Sequence, residues 1–185
     1  MTLIVNHREW LAADRRAVID AACWAEQVFE ARKLHRSPCG RFVVCSTGYA
    51  FTPDQLTVLF QELTAVLTDF YRGKLNLHKF RPERGSDFWD AVDERRLYVQ
   101  TTQHRWMIDD KSEDKKDFNY FEEILDESEC RFNGSAVASG KAVWLSGYSK
   151  PEDIFRITNS MSGECSVEFD ICYRTELVPF TFHEE

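Results

Sequence analysis

A mixed α+β domain, with about four helices packed over one mixed or antiparallel sheet, is the fold class this sequence predicts. Three observations predict it: a helical stripe with start and stop signals over residues 52–73, a second stripe over residues 6–33, and short apolar runs that alternate with period two. At 185 residues, with no repeat, low-complexity tract or linker, the chain reads as one globular domain, 1–185. That size buries roughly 70% of the unfolded surface, so no staple is needed. The six cysteines are irregularly spaced and are expected to be free thiols.

In chain order, Asn6 to Glu9 resembles a cap with a capping carboxylate. Leu11, Val18, Ala22, Ala25 and Phe29 continue as a helical stripe to about Lys33, with Asp14, Arg15, Arg16, Glu26, Glu30 and Arg32 on its solvated side. The segment from His35 to Gly40 breaks that helix, and Phe42-Val43-Val44-Cys45 reads as an inner strand. Thr52 and Gln55 form a capping box, Pro53 fits the first helical position, and Phe51 and Leu56 suit a hydrophobic staple. Leu56, Leu59, Phe60, Leu63, Leu67, Phe70 and Tyr71 share one face of the helix that follows, and Gly73 stops it.

Beyond Gly73, Leu75 and Leu77 alternate with polar residues as a half-buried strand would. Ser86 is placed to cap a short helix through Phe88, Trp89 and Val92, and Leu97 to Met107 reads as one extended strand. Phe118, Phe121, Ile124 and Leu125 predict a third long helix, Asn133-Gly134 a turn, and Ala142 to Leu145 a strand. Residues 149–161 predict a fourth helix, and Val167, Phe169, Ile171 and Tyr173 a last strand.

The formal charge of −8 is concentrated in one place. Residues 109–129 carry 10 acidic and 3 basic groups, interleaved with Phe118, Tyr120 and Phe121. Such a segment attracts a basic protein and repels nucleic acid. The predicted contact residues are Asp109, Asp110, Glu113, Asp114, Asp117, Glu122 and Glu123, with Tyr120 and Trp106 as aromatic anchors. A smaller basic run, Arg72, Lys74, Lys79, Arg81 and Arg84 beside His78, lacks the aromatic pattern of a nucleic-acid site.

Catalytic signatures are sparse. Glu168 and Asp170 fall on one face of the last strand, a spacing that suits a divalent metal but equally a wet sheet face. Tyr98, Gln100, Thr102, His104 and Trp106 would line one side of a straight strand, as a ligand row or a polar edge. His35, Cys39 and Cys45 lack the paired spacing of a zinc site. Phosphate-loop, dinucleotide, hydrolase and zincin motifs are missing from the sequence. No metal or cofactor is therefore expected, and no catalytic residue is selected. The amino-terminal MTLIVNHREW is too short in its apolar run for a signal peptide, nothing approaches a membrane span, and the expected location is the cytoplasm.

Together these features predict a protein-binding protein, an immunity-type inhibitor that occludes a basic toxin or nuclease through its acidic aromatic segment. A metal-dependent hydrolase built on Glu168 and Asp170, and a structural or assembly subunit, are the alternatives. The oligomeric state is left open.

Overall fold

The computed structural model describes residues 3–7, 9–19, 27–80, 85–92, 95–109, 122–123, 133–138, 141–146 and 169–182. The chain divides into two compact units, residues 1–35 with 125–176 and residues 36–124 with 177–185.

Among the described residues the first unit is built of strands, with a 3₁₀ turn at Arg174–Glu176. Strands β1 (Leu3–His7), β2 (Trp10–Asp14), β10 (Asn133–Ala138), β11 (Lys141–Ser146) and β12 (Phe169–Tyr173) form one sheet in the order β11-β10-β1-β2-β12. Every neighbouring pair is antiparallel. Strands β3 (Arg16–Ile19) and β4 (Gln27–Glu30) make a separate antiparallel pair.

This is a correction to the expected helix over residues 6–33. The spaced apolar positions there do fit a helical stripe, but Trp10-Leu11-Ala12-Ala13 is a contiguous run, and all five residues of β2 are buried. Successive side chains of a strand point to opposite faces, so a strand buried on both faces reads as continuous apolar sequence. A helix with one wet side does not. Asn133-Gly134, expected in a turn, opens β10 and pairs with Ser146 and Leu145.

The second unit packs two helices on a sheet. Strands β5 (Leu34–Arg36), β6 (Val43–Thr47), β7 (Arg96–Gln100), β8 (Arg105–Asp109) and β9 (Glu122–Glu123) lie in that order, β5 falling where the chain passes from one unit to the next. Helix α1 (Pro53–Tyr71) has the predicted capping box: Gln55 N–H donates to Thr52 Oγ1 at 3.2 Å, and Thr52 N–H to Gln55 Oε1 at 3.0 Å. Leu59, Leu63, Val66 and Leu67 of α1 are buried with Phe88, Ala91 and Val92 of α2 (Asp87–Val92). They meet Phe42 and Val44, Leu97 and Val99, and Trp106 and Ile108, three pairs two residues apart that share one sheet face.

Arg95 joins the two helices. Its guanidinium donates to the carbonyls of Ala91, Tyr49 and Ala50 and to Gln55 Oε1, and lies 4.6 Å from the Phe51 ring centroid. A buried cation is tolerated here because its donors meet acceptors. At the other end of α1, the Tyr71 hydroxyl meets Thr101 Oγ1 at 2.6 Å and His104 Nδ1 at 2.9 Å, and its ring stacks on Phe180. Thr101 to His104 is thus the turn of a β7–β8 hairpin, where a single strand from Leu97 to Met107 was expected. Leu77–Lys79 is a 3₁₀ turn capped by Asn76, not a strand.

The described residues therefore contain two α-helices and two five-stranded sheets, with antiparallel pairing throughout the first and from β6 to β9 in the second. This overturns the predicted class of about four helices over one sheet. Where a helix near residues 118–125 was expected, Glu122–Glu123 is a strand; the rest of that segment and the expected helix at 149–161 lie outside the described residues.

Candidate functional site

The first unit buries a pair of opposite charges. Asp14 ends β2 and Lys33 follows β4, and Lys33 Nζ donates to Asp14 Oδ1 at 2.7 Å. Both side chains are nearly withdrawn from solvent, at 10% and 3% exposure. Taking two charges out of water costs several kcal/mol per ion, and their attraction seldom repays more than that. Packing alone would favour two apolar residues here. Among the described residues, Asp14 is the one hydrogen-bond partner of the Lys33 ammonium.

The pair lies at a defined place in the sheet. Ile4 of β1 is opposite Ala13 of β2, so the start of β1 lies beside the end of β2 that carries Asp14. On the other side of β2, Phe169 of β12 is opposite Asp14, and Asp170 is opposite Ala13. Arg15 donates to Asp170 Oδ1 from both Nε and Nη2, at 3.0 and 2.6 Å. The Arg15 carbonyl also accepts from Ala31 N–H at 2.7 Å, tying the segment before Lys33 to the end of β2.

His35 sits beside these groups. Burial, and then the Arg32 charge, push its imidazole below its ordinary value of 6.5; a hydrogen bond to the Arg32 backbone and the Asp170 carboxylate act in the opposite sense. The folded state therefore holds His35 neutral at pH values where the unfolded chain binds a proton. Its contribution to stability is fully present above pH 6.5 and is lost as pH falls from there toward the lowered folded value. The melting temperature of the parent should fall below pH 6.5, and that of His35→Gln should fall less. Parallel melting curves for the two proteins would exclude His35 as the cause.

The residues singled out from sequence are scattered. Trp106 is buried in the core of the second unit at 2% exposure and is not displayed as an anchor. Asp109 ends β8, and Glu122 and Glu123 pair with Met107 and Trp106 at the edge of that sheet. Asp110, Glu113, Asp114, Asp117 and Tyr120 lie outside the described residues, as does Glu168. Asp170 is bonded to Arg15, and among the described residues no group of three His, Cys, Asp or Glu could hold a metal. Tyr98 and Gln100 are buried, so they form no exposed ligand row. Cys39, Cys45 and Cys172 are free thiols. Among the described residues, no helix is long and apolar enough to cross a membrane.

Asp14 and Lys33 were missed because the stretch that holds them reads as one helix, with Asp14 on its solvated side and Lys33 at about its end. A signal was present: Asp14 directly follows a four-residue apolar run, where a solvated charge is out of place.

No protein-family model and no curated protein matches the sequence. Solved structures do. The chain is similar to eukaryotic HslV from Trypanosoma brucei at 15% identity and a TM-score of 0.55, over 92% of this chain and 98% of that one. It is also similar to Anbu, an ancestral beta-subunit, from Yersinia bercovieri, at 18% identity and a TM-score of 0.47, over 94% and 81% of the two chains. The likeness to HslV establishes an HslV-type fold. That fold overturns the expectation of an immunity-type inhibitor occluding a basic toxin through an acidic aromatic segment.

Proposed function

We propose that this chain is a peptidase subunit of the HslV type, a single domain over residues 1–185, in which Thr2 is the nucleophile and Lys33 and Asp14 supply the electrostatics. The observation that carries this is the buried Lys33–Asp14 pair at 2.7 Å, at the end of β2 that lies beside the start of β1. Thr2 is the residue before Leu3, where β1 begins.

The chemistry follows from the residue types. Cleavage of the peptide bond before Thr2 would free its α-amine, and a threonine with a free amine carries its own general base. The amine takes the proton of Oγ1 as that oxygen attacks the scissile carbonyl. The carbon–nitrogen bond then breaks, the proton passes to the departing amine, and water hydrolyses the acyl ester to restore Thr2. Lys33 offers a fixed positive charge to the negative oxygen that forms, and Asp14 keeps the ammonium in place; removing one such group typically costs about 10²–10³ in rate. HslV is an assembled oligomeric subunit, and an oligomer is the proposed working state here too.

The test uses fluorogenic peptides and the purified protein, with the mass of the amino-terminal fragment reporting whether Thr2 carries a free amine. Thr2→Ala should abolish hydrolysis and leave the melting temperature within a degree or two of the parent. Lys33→Ala should lower kcat by about 100-fold or more. Hydrolysis that survives Thr2→Ala would exclude this function.

A further inference from the structure

The part-buried pair Arg15–Asp170 lies one residue from the buried pair, and Arg15 is bonded both to β12 and to the segment before Lys33. We infer that Arg15 and Asp170 are positioning residues that fix the Lys33 ammonium on Asp14; the catalytic use of that position rests on the function proposed above.

Three observations support this. Asp14 and Asp170 belong to adjacent antiparallel strands, one register step apart, so the Arg15 side chain crosses from the end of β2 to β12. Both of its short hydrogen bonds go to Oδ1, and Asp170 Oδ2 is buried without a hydrogen-bond partner. The carboxylate is therefore held by two nitrogens of Arg15 through a single oxygen. The main chain of the same arginine then accepts from Ala31 N–H, two residues before Lys33. Arg15 is thus bonded to β12 by its side chain, to the Lys33 segment by its carbonyl, and to Asp14 by the peptide bond.

The division of labour follows from exposure. The Arg15 side chain is 36% exposed and that of Asp170 16%, against 10% and 3% for Lys33 and Asp14. A half-exposed ion pair contributes little to global stability, because solvent screens it and ordering two long side chains opposes it. Placement is what it supplies. A shift of about 1 Å in a catalytic group can cost about 100-fold in rate.

Two measurements test this. In the full-length protein, Asp170→Asn should lower kcat about tenfold or more, leave KM within about twofold and leave the melting temperature near that of the parent; Arg15→Lys, which keeps a cation opposite Asp170, should lose less than Arg15→Ala. An equal change in kcat and melting temperature, or no change in kcat, would overturn it. The second measurement needs no activity: urea unfolding of Asp170→Asn, Lys33→Met and the double variant. If Asp170 holds Lys33, the two substitutions are coupled by about threefold or more in the folding equilibrium constant. Additive effects would overturn the positioning role. Should the parent hydrolyse no peptide, or Thr2→Ala stay active, the proposed function fails, and the unfolding cycle still decides whether Asp170 positions Lys33.

Discussion

Leu63→Asp should leave the second unit without a cooperative unfolding transition. Leu63 is fully buried in the middle of α1, among the apolar side chains of α2 and one face of the β5–β9 sheet. Removing a buried leucine side chain costs about 2–5 kcal/mol. Desolvating an unpaired carboxylate in its place costs several more, and the sum approaches the whole stability of a typical domain, about 5–15 kcal/mol. Leu63→Met is the control, since a swap of similar volume costs under about 1.5 kcal/mol. Circular dichroism and size-exclusion chromatography read the outcome. A Leu63→Asp protein that elutes and melts like the parent would show that α1 does not carry this core.

Helix α1 was readable because every signal that defines it is local. Thr52, Gln55 and Pro53 lie within four residues, and the buried positions recur every three or four residues. The strand at Val43–Thr47 and the short helix at Asp87–Val92 were readable for the same reason. The first sheet was not. Its central strand β1 pairs with β2 a few residues away but also with β10 some 130 residues on, and β2 pairs with β12. Nothing local records such partners. Where residues 10–13 offered a contiguous apolar run, flanking positions at helical spacing outweighed it, and two strands and a hairpin were read as one helix.

The candidate site was hidden by the same error. Asp14 and Lys33 are 19 residues apart, and Arg15 and Asp170 are 155 apart, so only the paired strands bring them together. Read as helical charges, Asp14 and Arg15 belong to a solvated face and Lys33 to the helix end, and they call for no chemistry. Asp170 was noticed for its spacing from Glu168, yet among the described residues its side-chain partner is Arg15. Of the acidic run over residues 109–129, the most conspicuous feature of the sequence, the described residues Asp109, Glu122 and Glu123 belong to the β5–β9 sheet.

Asp14→Ala and Lys33→Met together should be close to the parent in stability although either one alone is not. Asp14→Ala leaves the Lys33 ammonium buried without its one described partner, a loss of about 3–5 kcal/mol. At about 2–4 °C per kcal/mol for a chain of this size, the melting temperature should fall on the order of 10 °C. In the double variant neither charge of the pair remains, and replacing a buried pair by apolar groups is often neutral or stabilising. Most of the loss should therefore be recovered, while peptide hydrolysis stays absent. That combination would separate the two explanations for keeping two charges where apolar side chains would pack. If the double variant is as unstable as Asp14→Ala, the pair is a structural element and the proposed chemistry loses its support. A stable, inactive double variant means that Lys33 and Asp14 are retained for what the ammonium does at the start of β1.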